Sequence, residues 1–358
     1  MTEAIITAVI AVFLAFLGGR EKHHSFFLLL SFVLLTIFLS LGYYWGNDVE
    51  NYERWYEGFE SSRVSWWDFS QYDSFTQKEY GYICINMLCK PLGFWGMRAL
   101  LFTIENAIIY NFIKKYVDKK WYWLAVFIYV FNPNYWVLSS SMMRQWLAMC
   151  VVLLGVDFLL RNKYIMFTLL VVLATSFHLS SIICLILLPL SFFQRKATKS
   201  TIVVFFLLLG LYYLLSPFFI DYIALYLKSE ELYMGYTSTH GSFGITSVLL
   251  MIVYSIVLYT AVNTKQKYSL LSWIVMLYGL VLPLLSFGEL SSRLAYYFTI
   301  CTIGSFPLFL SNIKVKKTLR IWVVGLICVL YLYQFYSFFQ SPTWIKSYGT
   351  YETLIGKI

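Results

Sequence analysis

The sequence predicts an all-α polytopic membrane protein with about twelve transmembrane helices, or about ten if one pair is re-entrant. Three observations carry that expectation. Of 358 residues, 60% are hydrophobic and 13% charged, more apolar surface than a soluble domain of this size can hide. Long apolar runs alternate with short polar turns. Lysines and arginines collect on every second turn, as alternating spans require when basic loops stay in the cytoplasm.

The apolar runs lie at 3–19, 25–45, 96–113, 121–138, 142–160, 164–177, 179–193, 200–218, 245–263, 269–287, 294–311 and 320–338. The first has Glu3 before it and no A-x-A-like site after it, so it reads as a retained span rather than a cleaved signal. Basic turns carry Arg20 and Lys22; Lys114, Lys115, Lys119 and Lys120; Arg161 and Lys163; Arg195, Lys196 and Lys199; Lys265 and Lys267; and Lys314, Lys316, Lys317 and Arg320. Together they hold well over half of the 27 basic side chains, all on one side if the spans alternate. That side is expected to be the cytoplasm, with both termini outside. A net charge of +9 would suggest an acidic partner in a soluble protein, but here most of it follows from topology. The whole of 1–358 is read as one integral membrane domain.

Two external segments interrupt the spans. In 46–95, Trp45, Val49, Tyr52, Tyr56 and Phe59 recur at helical spacing with acids between them, which predicts a helix lying at the interface. Residues 81–92 are too short to span and predict a half-buried helix leading into the next run. The second segment, 219–244, ends in a Gly- and Ser-containing stretch and predicts a loop. Six cysteines form no CxxC pair and read as small core residues. No zinc spacing, P-loop, dinucleotide fingerprint or nucleic-acid module is present.

The organising stretch is 139–181. From Arg144 the chain descends about 24 Å to the Arg161-Asn162-Lys163 turn, then climbs about 22 Å to His178, at 1.5 Å per residue. Two costly polar residues thus reach one depth, and an ionisable residue in a membrane segment points to function. Residues 164–193 have basic turns at both ends and only thirty residues for two crossings. The break falls around His178, among Thr175, Ser176, Ser180 and Ser181. Irregular backbone at that depth needs protein or water around it, so His178 is expected to face a cavity.

Arg98, Arg144 and Arg293 all fall at external ends of spans, where guanidinium suits phosphate oxygens. Snorkelling, or pairing of Arg293 with Glu289, is the competing explanation. His178, Glu79 and Asp48 are candidate bases for a hydroxyl. Glu105 lies mid-span and needs a partner. Asp157 reads as a helix pair with Arg161. Trp45, Trp55, Trp66, Trp67, Trp95 and Trp136 fit an aromatic belt at the interface. For Trp66, Trp67 and Tyr52, near the acids of the external segment, sugar stacking is the expected role.

Four motifs form an ordered set: Gly46-Asn47-Asp48-x-x-x-Tyr52, Glu79-Tyr80-Gly81, Met143-Arg144-Gln145-x-x-Ala148 and Phe177-His178-x-Ser180. The set resembles the EpsG family of Wzy-like bacterial polysaccharide polymerases, over about residues 40–200. The family usually has Glu-Pro-Gly where this chain has Glu79-Tyr80-Gly81. The resemblance implies a glycosyltransferase that makes O-antigen, capsule or exopolysaccharide from repeat units on undecaprenyl pyrophosphate. It implies a site at the outer face of the cytoplasmic (inner) membrane and a fold similar to the GT-C glycosyltransferases. A flippase and a chain-length regulator are the partners it implies.

The mechanism expected on this basis is a single inverting displacement at the anomeric carbon. Arg144, Arg98 and Arg293 stabilise the leaving pyrophosphate, and His178 or Glu79 takes the acceptor proton. With arginines supplying positive charge no cofactor is expected, although Asp48-Val49-Glu50 resembles a divalent-metal triplet. Two alternatives stand beside it: a flippase or exporter of the same lipid-linked sugars, and a membrane O-acetyltransferase of polysaccharide.

Overall fold

Apolar periodicity becomes helix almost everywhere in the computed structural model, which describes residues 1–20, 24–61, 79–229, 245–287 and 289–357. Among the described residues, six helices are long and apolar enough to cross a membrane, by length and composition: Lys90–Tyr116, Met143–Leu160, Leu179–Lys196, Lys199–Phe218, Arg293–Asn312 and Lys317–Phe338. Shorter apolar helices accompany them, among them Thr2–Gly18, Ser25–Leu41 and Tyr164–Phe177. The architecture is that of an all-α polytopic membrane protein. The chain divides into two compact units, Met1–Ile182 with Lys316–Ile358, and Ile183–Val315.

The first unit holds most of the residues the motifs singled out. Its core starts from the Thr2–Gly18 helix, whose Ala4, Ala8, Ala11 and Ala15 are fully buried. Small residues at this spacing let the His24–Leu41 and Tyr122–Phe131 helices pack closely against it. The Gly93–Tyr116 helix packs on Met143–Leu160, which turns back into Tyr164–Phe177. That turn is made by Asn162 in the left-handed region, φ 63°, with Lys163 N–H donating to the Phe158 carbonyl at 2.9 Å. Asparagine tolerates this conformation, so the helix stops where the basic turn needs it to. Asp157 accepts from Arg161 as expected, and from Lys115 and Tyr116 as well.

One apolar run is not one helix. The stretch 121–138 stays helical only from Tyr122 to Phe131. Pro133 disfavours helical backbone at Asn132, which sits at φ −82°, ψ 110°. Its side-chain oxygen then accepts from Asn134 N–H at 3.1 Å. Residues 135–142 follow as buried chain with a single turn of tighter helix at Leu138–Ser140. Hydropathy could not separate the two, because irregular chain buried in protein is as apolar as a span.

This buried chain is held from the C-terminal end. Tyr348, at the end of the Pro342–Tyr348 helix, is fully buried and shares a hydrogen bond with Ser141 Oγ at 2.5 Å. Burial pushes its hydroxyl pKa up to about 12. Ser141 Oγ in turn accepts from Asn47 N–H at 2.6 Å. Gly42–Tyr43 pairs antiparallel with Glu352–Thr353, and Gly46 N–H donates to the Ser347 carbonyl at 3.2 Å. Gly46 sits at φ 140°, where a Cβ would stand 2.9 Å from Val49 and 3.0 Å from Ser140 Oγ. Glycine is required there for the loop to lie on the serines. Tyr348→Phe removes the hydroxyl but not the ring, and should cost about 1 kcal/mol. A lowered thermal midpoint of the purified protein would show it.

The Lys199–Ser229 helix runs into the segment expected to be loop, so its first part is helical. Residues 230–244 lie outside the described residues. The second unit centres on Ser269–Met276, buried all round by Leu187–Phe193, Ile245–Asn263 and Thr302–Asn312. A helix apolar on every face belongs inside.

Candidate functional site

The site is built on Glu79, the residue that precedes the Tyr80–Leu88 helix. Its backbone carbonyl accepts from Tyr82 N–H at 3.1 Å, as a helix start requires. Its carboxylate makes no cap on its own helix and turns inward, 1% exposed. There Oε2 accepts from Arg144 Nη1 at 2.5 Å. Oε1 pairs with His178 Nδ1 at 2.6 Å and accepts from Leu179 N–H at 3.2 Å. One buried carboxylate thus joins the start of one long helix to the end of another.

Each partner is placed by local structure. Arg144 lies in the first turn of Met143–Leu160, just after the buried chain ends. His178 ends Tyr164–Phe177 with extended backbone, φ −155° and ψ 117°. The tighter helix Leu179–Ile186 begins immediately after it. The break expected around His178 is at His178 itself, and it frees Leu179 N–H for Glu79. Arg144 and His178 remain partly exposed, at 16% and 19%, above the buried carboxylate.

Gly81 sets how closely these pieces approach. A Cβ at this position would collide with Ser176 Oγ and stand 2.9 Å from Phe177 Cδ1. The Tyr80–Leu88 helix can therefore press on the end of Tyr164–Phe177 only with glycine here. Gly81→Ala should destabilise by about 1–3 kcal/mol, the usual cost of overpacking. Because the clash sits one turn from Glu79, activity should fall along with the thermal midpoint. A variant as active and as stable as the parent would contradict this.

The Val49–Ser61 helix covers Arg144. Its Val49, Tyr52 and Tyr56 are buried, as the spacing predicted. The guanidinium lies 5.9 Å from the Tyr52 ring and 5.1 Å from the Trp55 ring. Tyr52 also hydrogen-bonds Arg144, and burial raises its hydroxyl pKa. Trp55 packs with Tyr80 and Met87 on buried Ile83, tying this helix to the one after Glu79. Arg144 Nε is buried with no hydrogen-bond partner among the described residues. A buried unsatisfied donor at a functional residue fits an acceptor oxygen of a ligand.

The remaining predicted residues fall as follows. Asp48 is half-buried at the start of Val49–Ser61, within electrostatic reach of Tyr52 and Tyr348. Arg98 is fully buried and donates to the Gly42 carbonyl at 2.5 Å and the Trp45 carbonyl at 3.4 Å. It is flanked by Trp95 and Phe102. Those carbonyls follow the end of the His24–Leu41 helix, where orphan acceptors need donors. Arg98 therefore holds this turn, and its place is inside the fold rather than at a ligand surface. Arg293 belongs to the second unit, in the Glu289–Thr299 helix. Trp66 and Trp67 lie outside the described residues. Trp45 and Trp136 are core, not belt, packed on each other and on Phe38. Glu105 is buried, and its Oε2 has no hydrogen-bond partner among the described residues. Its nearest electrostatic influence is Arg98, two turns earlier on the same helix.

Sequence reasoning passed over Trp55 as a cover for Arg144 and Tyr348 as a brace. For Trp55 the signal was present, three residues after Tyr52 and so on the same helical face. For Tyr348 there was none, since 207 residues separate it from Ser141. Among the described residues no three His, Cys, Asp or Glu side chains gather as metal ligands.

No curated protein and no solved structure matches the chain significantly. The EpsG family model matches residues 25–353, which takes in every residue of the Arg144–Glu79–His178 cluster. The chain belongs to the EpsG family, a family of Wzy-like polysaccharide polymerases.

Proposed function

We propose that the protein is a membrane glycosyltransferase that lengthens a polysaccharide by whole repeat units. The donor is the growing glycan on undecaprenyl pyrophosphate, and the acceptor is a lipid-linked repeat unit. The observation that carries this reading is the buried carboxylate of Glu79, held between Arg144 and His178.

The chemistry follows from the hydrogen bonds. Glu79 accepts at His178 Nδ1, which leaves the lone pair on Nε2. Nε2 takes the proton of an acceptor hydroxyl as its oxygen bonds to the anomeric carbon of the donor. The bond from that carbon to pyrophosphate oxygen breaks, and its electrons leave with the pyrophosphate. One displacement inverts the anomeric centre. Pyrophosphate is a good leaving group, so no general acid is required. Arg144 meets the developing charge with the part of its guanidinium not used by Glu79. Glu79 is thereby a positioning residue rather than the base. With Arg144 supplying charge the reaction needs no cofactor.

The outer face of the cytoplasmic membrane is the proposed location. In support, the first unit gathers Lys115 with Arg161 at the helix ends away from Arg144 and His178. The Lys119–Trp121 turn packs there on the Thr2–Gly18 helix. Basic ends mark the cytoplasmic side. Partner flippase and chain-length proteins belong to the same proposal.

The test is polymerisation in nanodiscs by the purified full-length chain, from an authentic lipid-linked repeat unit, with and without EDTA. A ladder of products spaced by one repeat unit, insensitive to EDTA, is expected. Absence of any polymer would end the reading, and EDTA-sensitive synthesis would overturn its metal-free part.

A further inference from the structure

The Val49–Ser61 helix serves a second feature besides Arg144. Its Glu50 lines a cleft of about 830 Å³, bounded by the turn through Tyr44 and Asn47 and by Thr343, Lys346 and Ser347 of the C-terminal helix. The whole cleft lies within the first unit.

Tyr44 is its unusual member. Its φ is 44°, a strained left-handed backbone that bulky side chains rarely adopt. The residue is nevertheless 39% exposed. Its hydroxyl is fixed to the Glu53 carboxylate, which raises the hydroxyl pKa above the ordinary tyrosine range. Its edge rests on Trp95 at 5.5 Å and its neighbour Tyr43 lies at 4.4 Å. Strain is thus retained to hold an open aromatic face rigidly over a polar cleft.

The opposite wall is not apolar. It offers hydroxyls and a primary amine, and the cleft as a whole carries two carboxylates, Glu50 and Glu352, against one ammonium, Lys346. Arg54 pairs with Glu50 at 3.6 Å and Lys357 with Glu352 at 3.0 Å, so the cleft carries no strong net charge of either sign. It suits a polyhydroxylated ligand, whose C–H face covers the ring while its hydroxyls exchange hydrogen bonds with amide, hydroxyl and carboxylate groups. The walls are pre-set. Ser347 Oγ donates to Asn47 Oδ1 at 3.2 Å, and Asn47 N–H is held by Ser141. Binding to walls already fixed loses little entropy. Asn47 is also the residue next to Asp48, so the cleft is joined to the covered Arg144 through one short helix.

We propose that this cleft is a saccharide subsite, holding sugar residues at a distance from the reacting hydroxyl. The inference rests on the polysaccharide-polymerase reading. The ligand is an oligosaccharide, from either the incoming repeat unit or the growing glycan.

The experiment uses the full-length chain in nanodiscs. The probes are the soluble repeat unit, released by mild acid from its lipid pyrophosphate, and a fragment of several repeats. Binding is read by saturation-transfer NMR and by a Kd titration. Tyr44→Ala and Thr343→Trp should each weaken binding about tenfold or more, whereas Glu79→Gln should leave it unchanged. Thr343→Trp fills the cleft from the opposite wall and leaves the strained turn intact, so a folding defect in Tyr44→Ala does not decide the outcome. Tighter binding of the longer fragment assigns the cleft to the growing glycan, and equal binding assigns it to the repeat unit. No binding by the parent, or unchanged binding in Thr343→Trp, overturns the subsite even if polymerisation proceeds. Cleft-dependent binding without any polymerisation overturns the catalytic reading and leaves the subsite standing.

Discussion

Glu79→Gln is expected to lower the rate of polymer synthesis by about 10³–10⁴-fold, the order found when the carboxylate that orients a catalytic histidine becomes an amide. The change is isosteric but reverses hydrogen-bond roles. A carboxylate can accept from Arg144 Nη1, His178 and Leu179 N–H together. An amide has one acceptor oxygen and two donor hydrogens. If its oxygen faces Arg144, its NH₂ faces His178 and Leu179, and His178 Nδ1 must become an acceptor. The ring proton then sits on Nε2, where the acceptor hydroxyl needs a lone pair. The loss should fall on kcat, because the donor pyrophosphate makes no contact with Glu79 in this scheme. Initial rates at saturating lipid-linked repeat unit will measure it. A kcat close to that of the parent would show that His178 does not depend on Glu79.

Arg144→Ala should have the second largest effect, and it should appear in stability as well as in rate. The variant leaves a carboxylate that is 1% exposed without its cation. Removing one partner of a buried ion pair typically costs about 3–5 kcal/mol, most of it the penalty of the stranded charge. The rate should fall further, by about 10²–10³-fold, as charge on the leaving pyrophosphate loses a donor. Arg144→Lys separates the two. An ammonium can neutralise Glu79 but lacks the planar fork, so stability should recover more than rate. Thermal unfolding of the parent, Arg144→Ala, Glu79→Gln and the double variant completes a cycle. The double variant should be more stable than the sum of the single effects predicts, since no buried charge remains. Strict additivity would mean that the two side chains are not coupled.

These effects centre on residues the sequence had already marked, but not on the arrangement that joins them. Arg144 and His178 stood out because charge and imidazole are costly in apolar runs, and helix rise alone brought them to one depth. The short helix before the Lys90–Tyr116 span was legible from its length and flanking proline and glycine. The amphipathic face of Val49–Ser61 was legible from its spacing. The buried chain at 135–142 was not, because hydropathy reports burial and is blind to whether the buried backbone is regular. Arg98 was misplaced for a related reason. Hydropathy and position put it at the membrane edge, while its true partners are two carbonyls more than fifty residues away.

An all-helical membrane protein, the alternation of its basic turns, the break at His178 and the set of polar residues worth their burial are all legible along the chain. All of these depend on composition and on periodicities of a few residues. Helix packing is what sets Glu79 between Arg144 and His178, at separations of 65 and 99 residues. It also makes Arg98 brace a turn and Tyr348 hold the loop before Asp48. A hydrogen bond is fixed by atoms within about 3 Å. Which distant residues come that close is set by how the helices pack, and local pattern carries no record of it.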